Sequence, residues 1–535
     1  MATDFTKTAL GLVVLVDIEL ASGTLRYATE DTPLVGGNFY EGRVAGVQGI
    51  TEELSTLLRP IQRQGTVTVI LDNIQADATS GFFDSSIDGS SNFWPNTSVT
   101  IRAGEGLTFS EYSTVFQGRI RLKDGIKRTL DTLELVIEDR RARELSVPMP
   151  PTLFNTTTYP NLEDGGASRR IPLLYGDWSS VWVGPLTCTD TTVNEFKIAD
   201  HAIFSIAQVG KDPGNGTGIA NVSHTNENLT AATFRITAYD PETDRVYVKC
   251  EGKAGGGTLL MNPSDVLDDL LANVVGLGAG ALDSLAFTQL DTDLADLAAR
   301  WYITEERAAE YYISRLANEV GMDLRIADNL YTPTWFVPGF PGTAALYEEG
   351  VNIAAGSFEL RVDPNQEYVN EIQYAYAYDP RTKNFSKSGV VTDSAAVTEA
   401  GATVARSVQF TIIADDTDAQ TLAQRLLLLF AGPPEVVSFE TPDFDAEVAD
   451  LISVTAGTLS SLLANARKTM REFKRRLVRL SALTVRSAAS IGRWVEDSHP
   501  VAASSTLQQM QQAGYWTLDN GTITGVPTFP GSKFF

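Results

Sequence analysis

Three observations predict a mainly β protein with helical insertions (α+β). Apolar and polar residues alternate with period two over most of the chain. The apolar spacing becomes helical between Asn262 and Gly321. Clusters of Gly, Asp and Asn punctuate the alternating runs. The 535 residues correspond to about three to four domains at roughly 150 residues each, every one long enough for its own core. With 43% hydrophobic residues, wholesale disorder is excluded. Mean hydropathy is -0.07. No run reaches the ~18 apolar residues of a membrane-spanning helix, so no stable membrane insertion is expected.

The first unit, Met1–Leu145, reads as an antiparallel sandwich or barrel. Val16, Ile18 and Leu20 alternate with Asp17 and Glu19, the pattern of a half-buried strand. The runs 65–72, 99–102, 115–122 and 133–138 continue it. Between them, Ala76–Trp94 is a long loop rich in Ser, Gly and Phe, and loops of that length are usually functional or flexible. Pro148, Pro150, Pro151 and Pro160 mark a linker. A second β segment runs from Ile171 to Gly252, with strands over 171–177, 196–203, 233–237 and 245–250 and a turn-rich tip at Gly210–Gly218.

The helical section opens with Asn262 as N-cap, Pro263 at the first helical position and Asp265 in the first turn. Its stripe is Val266, Leu267, Leu270, Leu271, Val274 and Val275, and Gly276, Gly278 and Gly280 end it. A second helix is expected over Asp291–Trp301. A third starts from Thr304 as N-cap, with Glu305 and Glu306 at the positive helix end. Its stripe is Ala308, Tyr311, Tyr312, Leu316 and Val320, and Gly321 suits the C-cap. From Asp323 the period returns to two. Strands are expected over 368–378, 407–413, 436–439 and 451–454. A helix at Asp416–Phe430 lies among them, capped near Asp416 or Thr417 and stopped by Gly432-Pro433-Pro434. The basic stretch Arg467–Arg479 fits helix or strand; its distal part, Leu477–Val485, reads as strand.

The net charge is -25, from 42 Lys/Arg against 67 Asp/Glu. That balance argues against wrapping nucleic acid, which needs a basic face to displace counterions. From Ser461 onward, 10 basic and 4 acidic residues make the tail +6, leaving -31 for the first 460 residues. The basic tail is either a solvated face or a contact with a partner or another copy. Cys188 and Cys250 are too few for a disulfide framework and read as small buried hydrophobes. The opening residues do not read as a signal peptide, because Asp4, Asp17 and Glu19 interrupt the apolar run; cytoplasmic synthesis is expected.

Catalytic patterns are missing. There is no phosphate-binding G-x-x-x-x-G-K-S/T loop, H-E-x-x-H, G-x-S-x-G or C-x-x-C. Cys188 and His201 could in principle pair as nucleophile and base, but nothing else around them has the look of an activated site. Asp291/Asp293 and Asp443/Asp445 lack the Gly and terminal Glu of a calcium loop. Tyr374, Tyr376 and Tyr378 form either a carbohydrate platform or a packed strand face. No catalytic, cofactor or metal residue is assigned, and no enzyme activity is expected.

Four patches, in order along the chain, resemble bacteriophage tail proteins of the baseplate or tail-tip hub family. The first is Ile171-Pro-Leu-Leu-Tyr-Gly-Asp177 followed by Phe196-Lys-Ile-Ala-Asp-His-Ala-Ile203. The second is Leu316-Ala-Asn-Glu-Val-Gly-Met-Asp-Leu-Arg325. The third is Asp418–Leu428, then Val436–Thr441, then Ala446-Glu-Val-Ala-Asp-Leu-Ile-Ser-Val-Thr455, where Ala449 replaces the family's usual Gly. The fourth runs from Gly514-Tyr-Trp-Thr-Leu-Asp-Asn-Gly521 to Gly531-Ser-Lys-Phe-Phe535, with Phe534 and Phe535 where Trp often stands.

The resemblance implies two tail-tube-like antiparallel β-barrels per chain, with peripheral β and helical domains. The expected domains are 1–145, a tube-like barrel; 146–260, peripheral β; 261–354, helical or mixed; 355–480, a second barrel flanked by the helix at Asp416–Phe430; and 481–535, a partner or tip contact. It implies a homotrimeric structural hub in the virion tail. The hub closes the distal tube and adapts a six-fold tube to a three-fold tip. Its implied partners are a tail tube or distal tail protein above, a central fibre or tip protein below and a tape-measure protein in the lumen. DNA would pass without sequence-specific binding, and an acidic lumen would repel its phosphates. The expected subunit or partner contacts are Arg467, Lys468, Arg471, Lys474, Arg475, Arg476, Arg479, Phe534 and Phe535. Two alternatives are a receptor- or carbohydrate-binding tail protein using Phe82, Phe83, Phe93 and Trp94, and a tail-associated cell-wall hydrolase.

Overall fold

The computed structural model describes residues 12–34, 38–53, 63–74, 82–84, 87, 93–106, 108–214, 216, 218–327, 330–335, 344–362, 368–430, 435–443, 446, 451–457, 459–472, 477–484, 517–519 and 522–524. Strands dominate it, with helices concentrated in the middle of the chain.

The N-terminal sheet runs in space Thr32–Pro33, Phe39–Gly42, Gly23–Ala28, Val13–Leu20, Ser98–Gly104, Tyr112–Ile120, Thr132–Asp139, Val67–Asp72, Val44–Gln48, with Ile126–Arg128 added beside Thr132–Asp139. Alternate residues of these strands, among them Val16, Val69, Ile101 and Leu135, build its core. Val13–Leu20 is not half-buried as its alternation predicts. Its second face, Val13 and Leu15, is covered by Leu34, Tyr40 and Tyr112. Asp17 tolerates this burial because Tyr40 Oη donates to it at 2.9 Å and Arg102 pairs with it. Among the described residues the strand order ends in open edges, so closure into a barrel is not seen.

The peripheral β segment forms two four-stranded sheets around Trp178, Cys188, Phe196, Phe234 and Cys250. The expected strand 196–203 is interrupted. Glu195–Lys197 and Ile203–Asp212 are strands, and the Ala199-Asp200-His201 stretch between them bends. The cause is tertiary: Asp200 N–H donates to the Pro172 carbonyl at 2.8 Å, and Leu174 N–H donates to His201 Nε2 at 3.0 Å.

Asn262 caps Pro263–Asp269 as expected, accepting from Ser264 N–H at 2.9 Å. The next helix is Ser284–Asp293, earlier than expected, because Asp283 is its cap and accepts from Leu285 and Ala286 N–H at 3.1 Å. The chain then leaves the helical path, and Trp301–Ile303 pairs with Leu173–Tyr175. The third helix is Ala309–Val320, not one starting at Thr304. Arg307–Ala308 is held extended by pairing with Pro148–Met149. Gly321 closes it at φ +74°, a left-handed conformation that suits glycine.

The strand Glu371–Asp379 lies between Asn384–Thr392 and Ala405–Gln409. The helix Asp416–Phe430 packs on this small sheet. Its cap is Asp415, which accepts from Thr417 N–H at 2.8 Å; Gly432-Pro433-Pro434 lies outside the described residues. Helix and sheet share one core with the earlier helices, through Tyr374, Tyr376, Leu422 and Leu427 against Leu267, Leu271 and Leu316. Residues 371–430 therefore share a core with the helical section.

The C-terminal sheet runs Ala345–Glu348, Leu451–Ala456, Leu459–Glu472, Leu477–Thr484, Glu435–Thr441, Glu359–Val362, again open at its edges among the described residues. The ambiguous basic stretch is a β-hairpin, Leu459–Glu472 against Leu477–Thr484.

Candidate assembly interface

The basic hairpin is where the first and last β units meet. Thr51–Glu53, which follows the edge strand Val44–Gln48 of the N-terminal sheet, pairs antiparallel with Met470–Lys468 of the long strand. Arg471 N–H donates to the Ile50 carbonyl at 3.1 Å. Val478, on the returning strand, is fully buried in the N-terminal core. Main-chain pairing and apolar packing thus join the two sheets at one seam.

A bulge sets which basic residues face inward. Ala464 and Ala466 point into the C-terminal core. The pairing register then shifts between Ala466 and Lys468, so the inward positions become Thr469 and Arg471 instead of residues of even number. Arg471 is buried, with Nη2 donating to the Ala446 carbonyl at 2.9 Å. Lys468 is half-buried beside Glu53 in the pairing register. Arg479 is exposed and forms a 3.0 Å ion pair with Glu440. Arg467 contributes backbone to the strand. Lys474, Arg475, Arg476, Phe534 and Phe535 lie outside the described residues, as does the Arg467 side chain. Simple alternation through the basic run cannot reveal the bulge, so the inward turn of Arg471 was hidden in the sequence.

On the outer face of the same sheet, Ser438, Glu440, Arg479 and Ser481 floor an open groove of about 420 Å³, walled by Ala354–Ser357.

The other candidates resolve into structure. Cys188 and Cys250 are free and fully buried. Burial pushes the Cys188 thiol up to about 12 and the Cys250 thiol higher still, opposite to what an activated nucleophile needs. Burial holds His201 down at about 4, so its ring is neutral and available to accept from Leu174 N–H. Tyr374 and Tyr376 are buried in the central core, a packed strand face. Among the described residues, no cluster of three His, Cys, Asp or Glu is arranged to hold a metal; Asp445 lies outside them. In the long loop, Phe83 and Trp94 turn inward as a plug with ring centroids 5.9 Å apart, while Phe93 is 72% exposed. Two of the four aromatics expected to offer a binding face are therefore core.

No protein-family model matches the chain, and no curated protein matches it. Among solved structures it is similar to the 43 kDa tail protein of prophage MuSo2 from Shewanella oneidensis, at 11% identity and TM-score 0.42, covering 88% of this chain and 98% of that one. It is also similar to a tail protein from Neisseria meningitidis MC58, at 8% identity and TM-score 0.41, covering 88% and 96%. A third is a chain of the virion of a native gene transfer agent particle, at 10% identity and TM-score 0.42, covering 61% and 87%.

Proposed function

We propose that this chain is a structural, non-enzymatic component of a phage tail: a hub that closes the distal tube in the virion and lets DNA pass. The four ordered sequence patches support the family. One structural observation carries the hub reading: two β units of a single chain are joined through the Thr51–Glu53 strand and Val478. Three chains carrying two such joined units each would present six to a six-fold tube and three tips to a fibre. In this reading each β unit closes into a tube-like barrel in the assembled ring. The surplus of acidic residues, -25 overall, keeps DNA phosphates from sticking to the passage.

The test is the mass of the purified chain by light scattering, with negative-stain imaging. Three copies of the 57.9 kDa chain give about 174 kDa with three-fold views. A two-fold particle, or a monomer that does not join isolated tail tubes, would sink the hub reading.

A further inference from the structure

We propose that the hairpin Thr517–Thr524 docks on the outer edge of Glu359–Val362 in its own chain, extending the C-terminal sheet by β-augmentation. The two features are complementary deficits. The hairpin, Thr517–Asp519 against Thr522–Thr524, pairs only with itself among the described residues. An isolated two-stranded hairpin is marginal in water and needs a further strand or a packing surface. Glu359–Val362 is the last strand of the C-terminal sheet, bonded on one side to Glu435–Thr441 and to no second strand among the described residues. Glu359, Leu360 and Arg361 are all exposed, so both faces of this edge are uncovered.

The opposite edge of that sheet is guarded. Asn352 donates from Nδ2 to the Leu346 carbonyl at 2.7 Å and accepts from Glu348 N–H at 2.6 Å, filling the outer bonding positions of Ala345–Glu348. Edges left bare invite another strand, and among the described residues one edge of this sheet is blunted and the other is bare.

Connectivity selects the chain's own hairpin as the occupant. The chain leaves the sheet at Thr484, where Leu483 pairs with Val436 and Val436 pairs with Arg361. The exit is therefore two strands from the bare edge, about 10 Å at the usual ~4.8 Å spacing. Residues 485–516 separate exit and hairpin; at roughly 3.3 Å per residue they reach far beyond that distance. A tether of this kind gives the chain's own hairpin a large concentration advantage over any free strand. Chemistry matches as well. Leu518 and Ile523 are register partners in the hairpin, and Leu360, 37% exposed, stands in the edge strand. With Leu518 beside Leu360 in parallel register, Asp519 falls beside Arg361.

The test uses the full chain carrying Leu360→Cys and Leu518→Cys; the two native cysteines are fully buried and do not compete. Under mild oxidation the expected product is a 360–518 disulfide within one chain, identified by peptide mapping, in chains mixed from isotope-labelled and unlabelled pools. A disulfide joining labelled to unlabelled chains, or no 360–518 product, overturns the proposal. Hydrogen exchange on the wild type checks it without cysteines. The amides of 517–519 and 522–524 should be protected, and Leu360→Asp should lower that protection at least about tenfold while the rest of the sheet keeps its own. Unprotected amides in the wild type, or protection indifferent to Leu360→Asp, also overturn it. Neither readout depends on ring formation, so this inference and the hub reading can fail separately.

Discussion

At the residue scale, burial has shifted two groups enough to write a pH signature. Asp418, on the helix Asp416–Phe430, accepts from Ala298 N–H at 3.0 Å, and burial raises its carboxyl from an ordinary 3.8 to about 6. A raised acid favours the fold while protonated, so its contribution is full below about 3.8 and is lost as pH rises through 6. Asp418→Asn keeps an acceptor and removes the charge. Its thermal-stability profile should therefore fall less than the wild type's between pH 4 and 7. His201 has the opposite sign. Its ring is held at about 4 against 6.5 unfolded, so stability is full above 6.5 and is lost as pH falls toward 4. His201→Ala should flatten that acid limb. It should also cost about 1–3 kcal/mol at neutral pH, because the buried Leu174 N–H loses its acceptor; urea titration reads both.

At the element scale, the long loop and the bridging strand have separable jobs. Phe83 contacts Tyr27 and Trp94 edge-on, at centroid distances of 5.3 and 5.9 Å, and fills the N-terminal core. Phe83→Ala should cost about 3–5 kcal/mol, seen as a lower urea midpoint. A binding loop would instead tolerate the change, and an unchanged midpoint would show that the plug reading is wrong. Thr51–Glu53 pairs on one side with the long basic strand and on the other with Arg63–Gln64. A proline there removes a ladder donor and clashes with the pairing. Glu52→Pro, opposite Thr469 in the bonded register, should separate the two β units, with limited proteolysis giving an N-terminal fragment still rich in strand by circular dichroism. Failure to release such a fragment would mean that Val478 and its neighbours hold the seam alone.

Across the whole molecule, the N-terminal unit is also tied to the central unit through a buried charge. Arg141 follows the last long strand of the N-terminal sheet. It grips Asp139 with Nε and Nη2, the latter at 2.5 Å, and Nη1 donates to the Leu324 carbonyl at 3.2 Å. Arg141 is almost fully buried, and replacing one member of a buried pair leaves the other charge uncompensated. Arg141→Ala should therefore cost about 3–5 kcal/mol. Calorimetry should show its N-terminal transition separating from the central one. A single unchanged transition would mean that the tie is dispensable.

The alternating runs and capping residues determined much by themselves. Val67–Asp72 and Thr132–Asp139 lie where period two places them. Asn262, Pro263 and Gly276 bound their helix segment, and Asp416–Phe430 is a helix over the expected bounds. These are local effects, set by side-chain periodicity and by end groups that satisfy nearby backbone. Only the tertiary structure decided the rest. Thr304–Ala308 carries helix-start residues, but Arg307–Ala308 is extended because Pro148–Met149 pairs with it. Phe83 and Trp94 became a plug because they complete the core of the N-terminal sheet. Arg471 points inward because one bulge reverses the parity of its strand. Residues 371–430 joined the helices instead of the strands flanking them in sequence, because their apolar face matched that core. In each case a partner distant in sequence competes with a local preference worth about 1 kcal/mol or less per residue, and long-range pairing and burial win.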